Sequence, residues 1–285
     1  MENILVVFNY NAGRKQAVIY KKILQKFLLK EGYKFKFVSI EDFMSNDFDE
    51  FDTIMAVGGD GTINKVARIV AFTDKTLAII PSGTANLLAA KLGIPNNLKK
   101  ALKIISKGNT KKTDTLLIND KQCVLRCGLG YDSDIICKTP QSLKNKFGYL
   151  SYFIAGIIFG FRLTPKTYEI TCDGETSTVK ATCIIFGKAI NMYRNIISLG
   201  NKSELDDGMF DIFILKAKNP ITFFYEFLRI ILRIRTNNAR ALYLKAKSLK
   251  IKNSMALCHI DGEKTKIKDD IEIKVIPNAL KVFSK

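Results

Sequence analysis

The 285-residue sequence contains no tryptophan and a single histidine, His259. A Ser-His-Asp or Cys-His nucleophile would have to use that one residue, and a multi-histidine metal centre is excluded. The six cysteines (Cys123, Cys127, Cys137, Cys172, Cys183, Cys258) form no C-x-x-C pair. Several lie in apolar, strand-like runs such as Thr182–Phe186. They read as reduced, buried small hydrophobes, in keeping with a cytoplasmic setting. Long apolar runs are also missing. The longest, Tyr149–Phe161, has 13 residues with Ser151 and two glycines inside it, short of the roughly 20 a spanning helix needs. Met1–Asn9 is a short acidic-then-apolar, strand-like run with no basic n-region, so no signal peptide is expected. A soluble chain, peripherally attached to a membrane surface at most, is the expectation.

Acidic residues are in short supply. Against 45 Lys and Arg stand 27 Asp and Glu, a formal charge of +18. Residues 1–120 carry 18 basic and 12 acidic side chains, the remainder 27 and 15, so the excess is concentrated in the second part. Anionic partners are implied: nucleotide phosphates, an anionic membrane face or nucleic acid. No helix-turn-helix, RNP-type motif or zinc finger accompanies the charge, and nucleic acid is not expected as a partner.

What is present is a change of hydrophobic period along the chain. Ile4–Phe8, Phe35–Ile40, Thr53–Val57 and Leu77–Ile80 are short apolar runs typical of strands buried on both faces. Between and after them, Lys15–Leu29, Ile63–Phe72, Ala85–Leu92 and Leu98–Ser106 carry helical spacing. Such alternation predicts an α/β domain over 1–120 built on a doubly wound parallel sheet. From about Thr113 short β-type segments take over: Gln122–Cys127, Thr167–Cys172, Thr178–Phe186, Met209–Leu215, Ser248–Ile251, Cys258–Ile260 and Ile271–Val275. Helical patterns at Leu150–Phe161 and Ile221–Ile234 interrupt them. A mainly antiparallel β-sandwich domain is expected over 121–275, with 276–285 returning to the first domain.

The strongest local signal is Val57-Gly58-Gly59-Asp60-Gly61-Thr62, between a strand and a helix. Its glycines let the backbone approach an anion closely, Thr62 can cap the helix, and the helix start supplies N–H groups for a phosphate. Pro81-Ser82-Gly83-Thr84-Ala85-Asn86 repeats the strand–loop–helix context, and Asn9-Tyr10-Asn11-Ala12-Gly13 follows the first strand. All three loops should open at the carboxyl edge of one sheet, where ligands of such sheets bind. Neither G-x-x-x-x-G-K-[ST] nor G-x-G-x-x-G occurs, so this is neither a P-loop nor a dinucleotide fingerprint.

Gly58–Thr62, Gly83-Thr84-Ala85-Asn86, Leu205-Asp206-Asp207-Gly208 and Ile260-Asp261-Gly262-Glu263 resemble motifs of the diacylglycerol kinase catalytic-domain superfamily, which includes bacterial soluble lipid kinases and sphingosine kinases. The order of the motifs holds from about residue 4 to 275. The resemblance implies an NAD kinase/diacylglycerol kinase-like fold and an ATP- and Mg²⁺-dependent lipid kinase with its active site between the domains. It implies that Asn9, Gly13, Gly58, Gly59, Gly61 and Thr62 cradle ATP phosphates, with Thr84 alongside. Asp60 and Asp114 would join a carboxylate–water network around the nucleotide's Mg²⁺, while Asp206 and Asp207 would help hold a separate structural metal. Asp261 would be the general base on the lipid hydroxyl, with Glu263 nearby. Read without the resemblance, Asp261-Gly262 is a plain hairpin turn, and His259 beside it is a strand residue. Two positions depart from the family pattern: Tyr10 stands where proline is usual, and Leu87 where many members have aspartate.

A kinase acting on a bilayer lipid must reach its surface. On Ile221–Arg235, Phe224, Leu228 and Ile231 fall on one helical face, with Glu226, Arg229 and Arg233 opposite. Lys144, Lys146 and Arg162 flank Leu150–Phe161 in a similar way. Lipid and an anionic membrane surface are therefore the expected partners, and a homodimer stays open. The competing readings are an NAD kinase-like enzyme and a catalytically inactive lipid- or membrane-binding homologue.

Overall fold

In the computed structural model the described residues are 3–9, 14–140, 142–143, 150–190, 199, 204–232, 234, 237–252 and 256–285. The chain divides into two compact units, Met1–Thr113 with Asn278–Lys285, and Asp114–Pro277. The division therefore falls at Thr113 rather than at residue 120.

In the first unit, β1 (Asn3–Phe8), β2 (Lys34–Ser39), β3 (Thr53–Gly58) and β4 (Thr76–Pro81) form a parallel sheet in the order β2-β1-β3-β4. Every residue of β3 and β4 is buried, which is why these strands read as unbroken apolar runs rather than alternating ones. α1 (Arg14–Lys30) follows β1, α2 (Ile40–Ser45) follows β2, and α3 (Asp60–Val70) follows β3. α4 (Leu87–Lys91) and α5 (Leu98–Ser106) come after β4. The chain returns at its end, where Lys281 and Val282 pair in parallel with Thr76 and Leu77. Sheet order reverses direction between β1 and β3, and a crevice at the carboxyl ends of such neighbours is where open α/β sheets bind ligands. The loops after β1 and β3 flank that position.

The second unit is a sandwich of two antiparallel sheets. One contains β7 (Arg126–Gly130), β10 (Cys183–Gly187), β11 (Phe210–Leu215), β12 (Ala241–Ala246), β14 (Ala256–Ile260) and β15 (Glu263–Ile267), in the order β12-β11-β10-β7-β14-β15. The other pairs β13 (Ser248–Lys252) with β8 (Lys166–Cys172) and with 271–274 of β16 (Ile271–Phe283), and β8 with β9 (Glu175–Ala181). β5 (Thr110–Ile118) and β6 (Lys121–Cys123) form a short hairpin beside it. Leu129, Ile184, Ile212 and Ile260 from the first sheet share one apolar core with Tyr168, Ile170, Leu249, Ile251 and Ile273 from the second. The alternate residues Cys183, Ile185, Phe213 and Leu215 form a further core on the opposite face, against Phe223 and Ile230 of α8 (Pro220–Ile231). α6 (Tyr131–Lys138) and α7 (Leu150–Gly160) complete the unit.

One expectation changes. Thr178–Phe186 is not one strand: β9 and β10 belong to different sheets, and the chain passes between them at Thr182. There the Thr182 N–H donates to the Leu215 carbonyl, and its own carbonyl accepts from the Tyr131 N–H. α8 leaves Leu228 and Ile231 of the expected apolar face exposed. It buries Phe223, Glu226 and Ile230, so Glu226 points inward and Leu228 outward. Its start is set by a reciprocal Asn219–Thr222 capping box followed by Pro220.

Candidate active site

α3 begins at Asp60, two residues before Thr62, and its cap position is Gly59. Thr62 is therefore not the cap. Its side chain is buried over the Cα of Gly58, where an added Cβ would lie 2.5 Å from the Thr62 Cβ. The loops after β3 and β4 touch. The Ser82 N–H donates to the Gly58 carbonyl at 2.8 Å, and a Cβ on Gly83 would fall 2.6 Å from the Cα of Gly59. Only two glycines allow this backbone contact.

Asp60 locks the pair of loops together. Its Oδ2 accepts the Asn86 N–H at 2.8 Å and its Oδ1 the Leu87 N–H at 2.5 Å. Burial raises the Asp60 carboxyl pKa, against the opposing pull of the Leu87 and Asn86 N–H groups. Asn86 caps α4 in the left-handed region, φ +47°, a conformation asparagine tolerates better than most residues. Its Oδ1 accepts the Gly83 N–H and its Nδ2 donates to the Gly83 carbonyl, closing the loop on itself. At Leu87, where many family members carry aspartate, the contribution to this lock is the backbone N–H, which any side chain would leave in place. Gly61 faces open space and Thr84 is exposed. Asn9 sits directly after β1, half-buried. Gly13 and Tyr10 lie outside the described residues, as do Lys144, Lys146 and Arg233.

The remaining candidates lie in the second unit and gather at two places. The first centres on Asp114, nearly fully buried on β5. Its N–H donates to the Leu205 carbonyl at 2.6 Å and its Oδ2 accepts the Gly208 N–H at 2.8 Å. The Leu205–Gly208 turn is thus wrapped around Asp114. Between Asp114 and Asp207 stands a cation that sequence reasoning missed. The Nζ of Lys188, wholly buried, lies 3.0 Å from Asp114 Oδ2 and 2.7 Å from Asp207 Oδ1, and also donates to the Met209 carbonyl. Lys245 Nζ sits 2.6 Å from the other Asp207 oxygen. Burial raises the Asp207 carboxyl, but its two lysine partners outweigh this and hold it at about 2. The expected structural metal on Asp206 and Asp207 does not fit this arrangement: an ammonium group already neutralises the space between the carboxylates, and Asp206 is exposed. Among the described residues no cluster of three or more His, Cys, Asp or Glu stands ready to hold a metal.

The second place is the β14–β15 hairpin. Asp261 and Gly262 form its two-residue turn, with φ of +51° and +89°, the positive pair that D-G turns supply. The Asp261 carboxylate accepts three backbone N–H groups. Val124 donates to Oδ2 at 2.9 Å; Leu125 and Arg126 donate to Oδ1 at 2.8 and 3.1 Å. Oδ1 also meets the Cys123 thiol at 3.4 Å. A carboxylate has about four acceptor positions, so Oδ2 keeps one open. Glu263 follows as the first residue of β15, half-buried.

Behind the turn lies a buried cluster. His259 Nε2 is 2.5 Å from Asp132 Oδ2, Arg126 Nη1 is 3.4 Å from Asp132 Oδ1, and the Gly262 N–H donates to His259 Nδ1 at 3.3 Å. His259 is a strand residue, as expected, but one whose ring joins the turn to α6. Gly128 makes room: a Cβ there would lie 2.0 Å from Asp132 Oδ2 and 2.6 Å from His259 Nε2. Burial raises the Asp132 carboxyl, and Arg126 and His259 more than reverse this, holding it at about 2. The signal for this cluster was present as Arg126 and Asp132 around Gly128-Leu129-Gly130, but nothing local links them to His259, 127 residues beyond Asp132.

Residues 3–118 match the diacylglycerol kinase catalytic domain, and residues 127–284 the YegS C-terminal NAD kinase beta sandwich-like domain. A Bacillus subtilis diacylglycerol kinase is 32% identical over 219 residues, covering 75% of this chain and 72% of the relative. A Staphylococcus aureus diacylglycerol kinase is 26% identical over 271 residues, 90% of this chain and 85% of the relative. An uncharacterized Synechocystis protein is 30% identical over 240 residues, 81% of this chain, which spans about half (54%) of that protein's length. A solved diacylglycerol kinase from Bacillus anthracis superposes with a TM-score of 0.72 at 20% identity, covering 100% of this chain and 97% of that one. With its glycine-loop sheet and its β-sandwich each matched in order, the chain belongs to the diacylglycerol kinase catalytic-domain family, in the bacterial branch that carries a YegS-type C-terminal domain.

Proposed function

We propose that this protein is an ATP- and Mg²⁺-dependent lipid kinase that transfers the γ-phosphate to a lipid hydroxyl, diacylglycerol or a related lipid. The observation that carries the reading is the Asp60 lock. It holds two glycine loops in backbone contact at the carboxyl ends of adjacent parallel strands, with the start of α3 and the open face of Gly61 beside them. Backbone N–H groups at a helix start favour a phosphate, and glycines let it come close. Phosphoryl transfer asks for alignment and charge neutralisation more than for covalent help.

The residues fit a nucleotide phosphate. Asn9, Gly58, Gly59, Gly61 and Thr84 would border the phosphates, with Thr62 packed against Gly58. Mg²⁺, arriving with the nucleotide, would neutralise charge spread over the phosphate oxygens. Asp60, buried and bonded to the backbone N–H groups of Asn86 and Leu87, is the carboxylate suited to sit near it, each oxygen keeping a second lone pair. Asp114 serves by shaping the Leu205–Gly208 turn and holding Lys188. Asp261 takes the proton of the lipid hydroxyl through the open position on Oδ2, and Glu263 stands two residues on.

The test is transfer of labelled phosphate from ATP to a panel of lipids in mixed micelles, with NAD as a competing acceptor. Labelled phospholipid and no labelled NAD is the expected result. Labelled NAD instead would select an NAD kinase-like enzyme. Binding of ATP and lipid without any labelled product would mark a homologue that keeps the fold and has lost the reaction.

A further inference from the structure

A D-G hairpin turn forms in this chain with no ring beneath it. Asp173-Gly174 joins β8 to β9 with positive φ at both residues, and two positions before Asp173 stands Thr171, whose hydroxyl bonds that of Thr176 across the hairpin at 2.9 Å. Asp261-Gly262 joins β14 to β15 in the same way, with Ile260 opposite Glu263 and His259 opposite Lys264. Where the first turn has Thr171, this one has the single histidine of the sequence, wholly buried. Turn formation alone does not account for a buried imidazole at that place.

The ring closes a circuit of bonds that begins and ends at the turn. The Asp261 N–H donates to the Arg126 carbonyl at 2.9 Å, and the Arg126 N–H returns to Asp261 Oδ1 at 3.1 Å. The side chain of the same arginine reaches Asp132, which stands in the first turn of α6, with Nη1 3.4 Å from Oδ1. Asp132 Oδ2 meets His259 Nε2 at 2.5 Å, and His259 Nδ1 meets the Gly262 N–H at 3.3 Å. The groups at the two ends fix the direction of these last bonds. A backbone N–H can only donate, so the Nδ1 that faces Gly262 carries no proton. A carboxylate already paired with a guanidinium accepts, so Nε2 carries the proton of the ring. His259 is thereby a neutral imidazole in one tautomer, set by Gly262 on one side and Asp132 on the other.

We propose that His259 is a positioning residue for Asp261: its Nδ1 accepts the Gly262 N–H while Asp132 anchors its Nε2, and this keeps the turn in the one orientation from which Asp261 Oδ2 takes the proton of the lipid hydroxyl. The proposal rests on the reading of Asp261 as general base and names what holds that base in place. Val124, Leu125 and Arg126 fix the carboxylate oxygens against the neighbouring segment, and the ring fixes the backbone on the other side of the turn. A displacement of about 1 Å at a reacting group can cost on the order of 10²-fold in rate, so one bond behind the turn is visible in turnover.

Two near-isosteric variants of the full chain separate the two bonds of the ring. His259→Gln puts a donor as many bonds from Cβ as Nε2, keeping Asp132 satisfied and depriving Gly262 of its acceptor. His259→Asn puts an oxygen as many bonds from Cβ as Nδ1, keeping the Gly262 bond and giving up Asp132. His259→Gln should therefore melt near the wild-type Tm yet lose about 10–100-fold in kcat for lipid phosphorylation, with KM for ATP unchanged. His259→Asn should melt lower and keep more turnover than His259→Gln, at a temperature where both are folded. A ring that serves stability alone would make turnover follow Tm, so undiminished kcat in His259→Gln, or turnover that ranks with Tm, overturns the proposal. The single histidine also gives a readout that needs no variant. Histidine labelled with the heavy nitrogen isotope yields one pair of ring signals, told apart by their couplings to the two ring C–H groups. Near neutral pH a bare Nδ1 and a protonated Nε2 are expected, and a proton on Nδ1 overturns the proposal. Wild type without transfer to any lipid, or Asp261→Asn with undiminished kcat, removes the general-base reading and this role with it, while the ring signals stay as expected. A loss in Asp261→Asn with none in His259→Gln removes the positioning role alone.

Discussion

Lys188→Met tests the charge arrangement most directly. The substitution keeps volume and apolar reach but deletes an ammonium group that lies 3.0 Å from Asp114 and 2.7 Å from Asp207. The two carboxylates are not equally affected. Asp207 is partly exposed and retains Lys245 at 2.6 Å, whereas Asp114 is 3% exposed and loses its paired ammonium. Removing one partner of a buried ion pair costs about 3–5 kcal/mol, because the remaining charge is stranded. For a chain of this size that corresponds to a fall in Tm on the order of 10 °C. Thermal unfolding followed by circular dichroism reads the shift. Asp114→Asn in the Lys188→Met background should restore part of it, and the double-mutant cycle should show a coupling of about 1–3 kcal/mol. A second readout comes from divalent cations in the absence of nucleotide. The wild type should show no Mg²⁺-dependent stabilisation at this cluster, while Lys188→Met, with one cation fewer between its carboxylates, should gain some. A loss below about 1 kcal/mol in the single variant, or simple additivity in the cycle, would refute the view that Lys188 does the work of a structural cation.

Three further outcomes follow from contact distances and charge. Gly83→Ala would drive a Cβ to 2.6 Å from the Gly59 Cα, so it should destabilise by about 1–3 kcal/mol and weaken ATP binding measured by calorimetry, with other exposed glycine substitutions such as Gly61→Ala affecting binding but not stability. Gly128→Ala should lower Tm and soluble yield more than Gly83→Ala, because its Cβ would lie 2.0 Å from a buried carboxylate oxygen. Asp132 titrates near 2 in the folded chain, below the usual carboxylate value near 3.9, so its contribution is fully present above pH 4–5 and is lost as pH falls toward 2. Unfolding free energies from urea titrations from pH 5 downward should therefore drop for wild type by on the order of 2 kcal/mol more than for Asp132→Asn.

The parallel sheet was legible because strands buried on both faces write themselves as unbroken apolar runs, and the loop after β3 was legible because three glycines in four positions are rare at a strand end. What escaped notice depends on residues distant in sequence. Thr178–Phe186 has the composition of one strand, and its division at Thr182 follows from bonds to Leu215 and Tyr131, neither of them local. The partners that hold Glu226 inside, Asn238 and Arg240, come from the following segment. Lys188 offered one clue: a lysine directly after the wholly buried β10. A cation so placed needs a carboxylate, yet nothing nearby says that it takes Asp114 from 74 residues upstream.

The chain contains its own control for the role of Asp261. Asp173-Gly174 is a second D-G hairpin turn with positive φ at both residues, +48° and +93°, and the Asp173 carboxylate also receives backbone N–H groups, from Lys247 and Ser248. Bonding of an aspartate to the neighbouring strand is therefore what such a turn does here, whatever else it does. The two differ in setting: Asp173 is exposed, whereas Asp261 is 9% exposed and backed by the His259–Asp132 pair. An asparagine at either position keeps one oxygen acceptor and loses the charge, so each variant should lose about 1–2 kcal/mol through weaker N–H bonds. Only Asp261→Asn should also lose lipid phosphorylation, by about 10²–10⁴-fold in kcat with ATP affinity unchanged, the range for removing a general base. Asp173→Asn should keep wild-type turnover at a temperature where both variants are folded. Equal turnover in the two variants would leave Asp261 as an anchor of the β14–β15 turn and return the search for the base to Glu263.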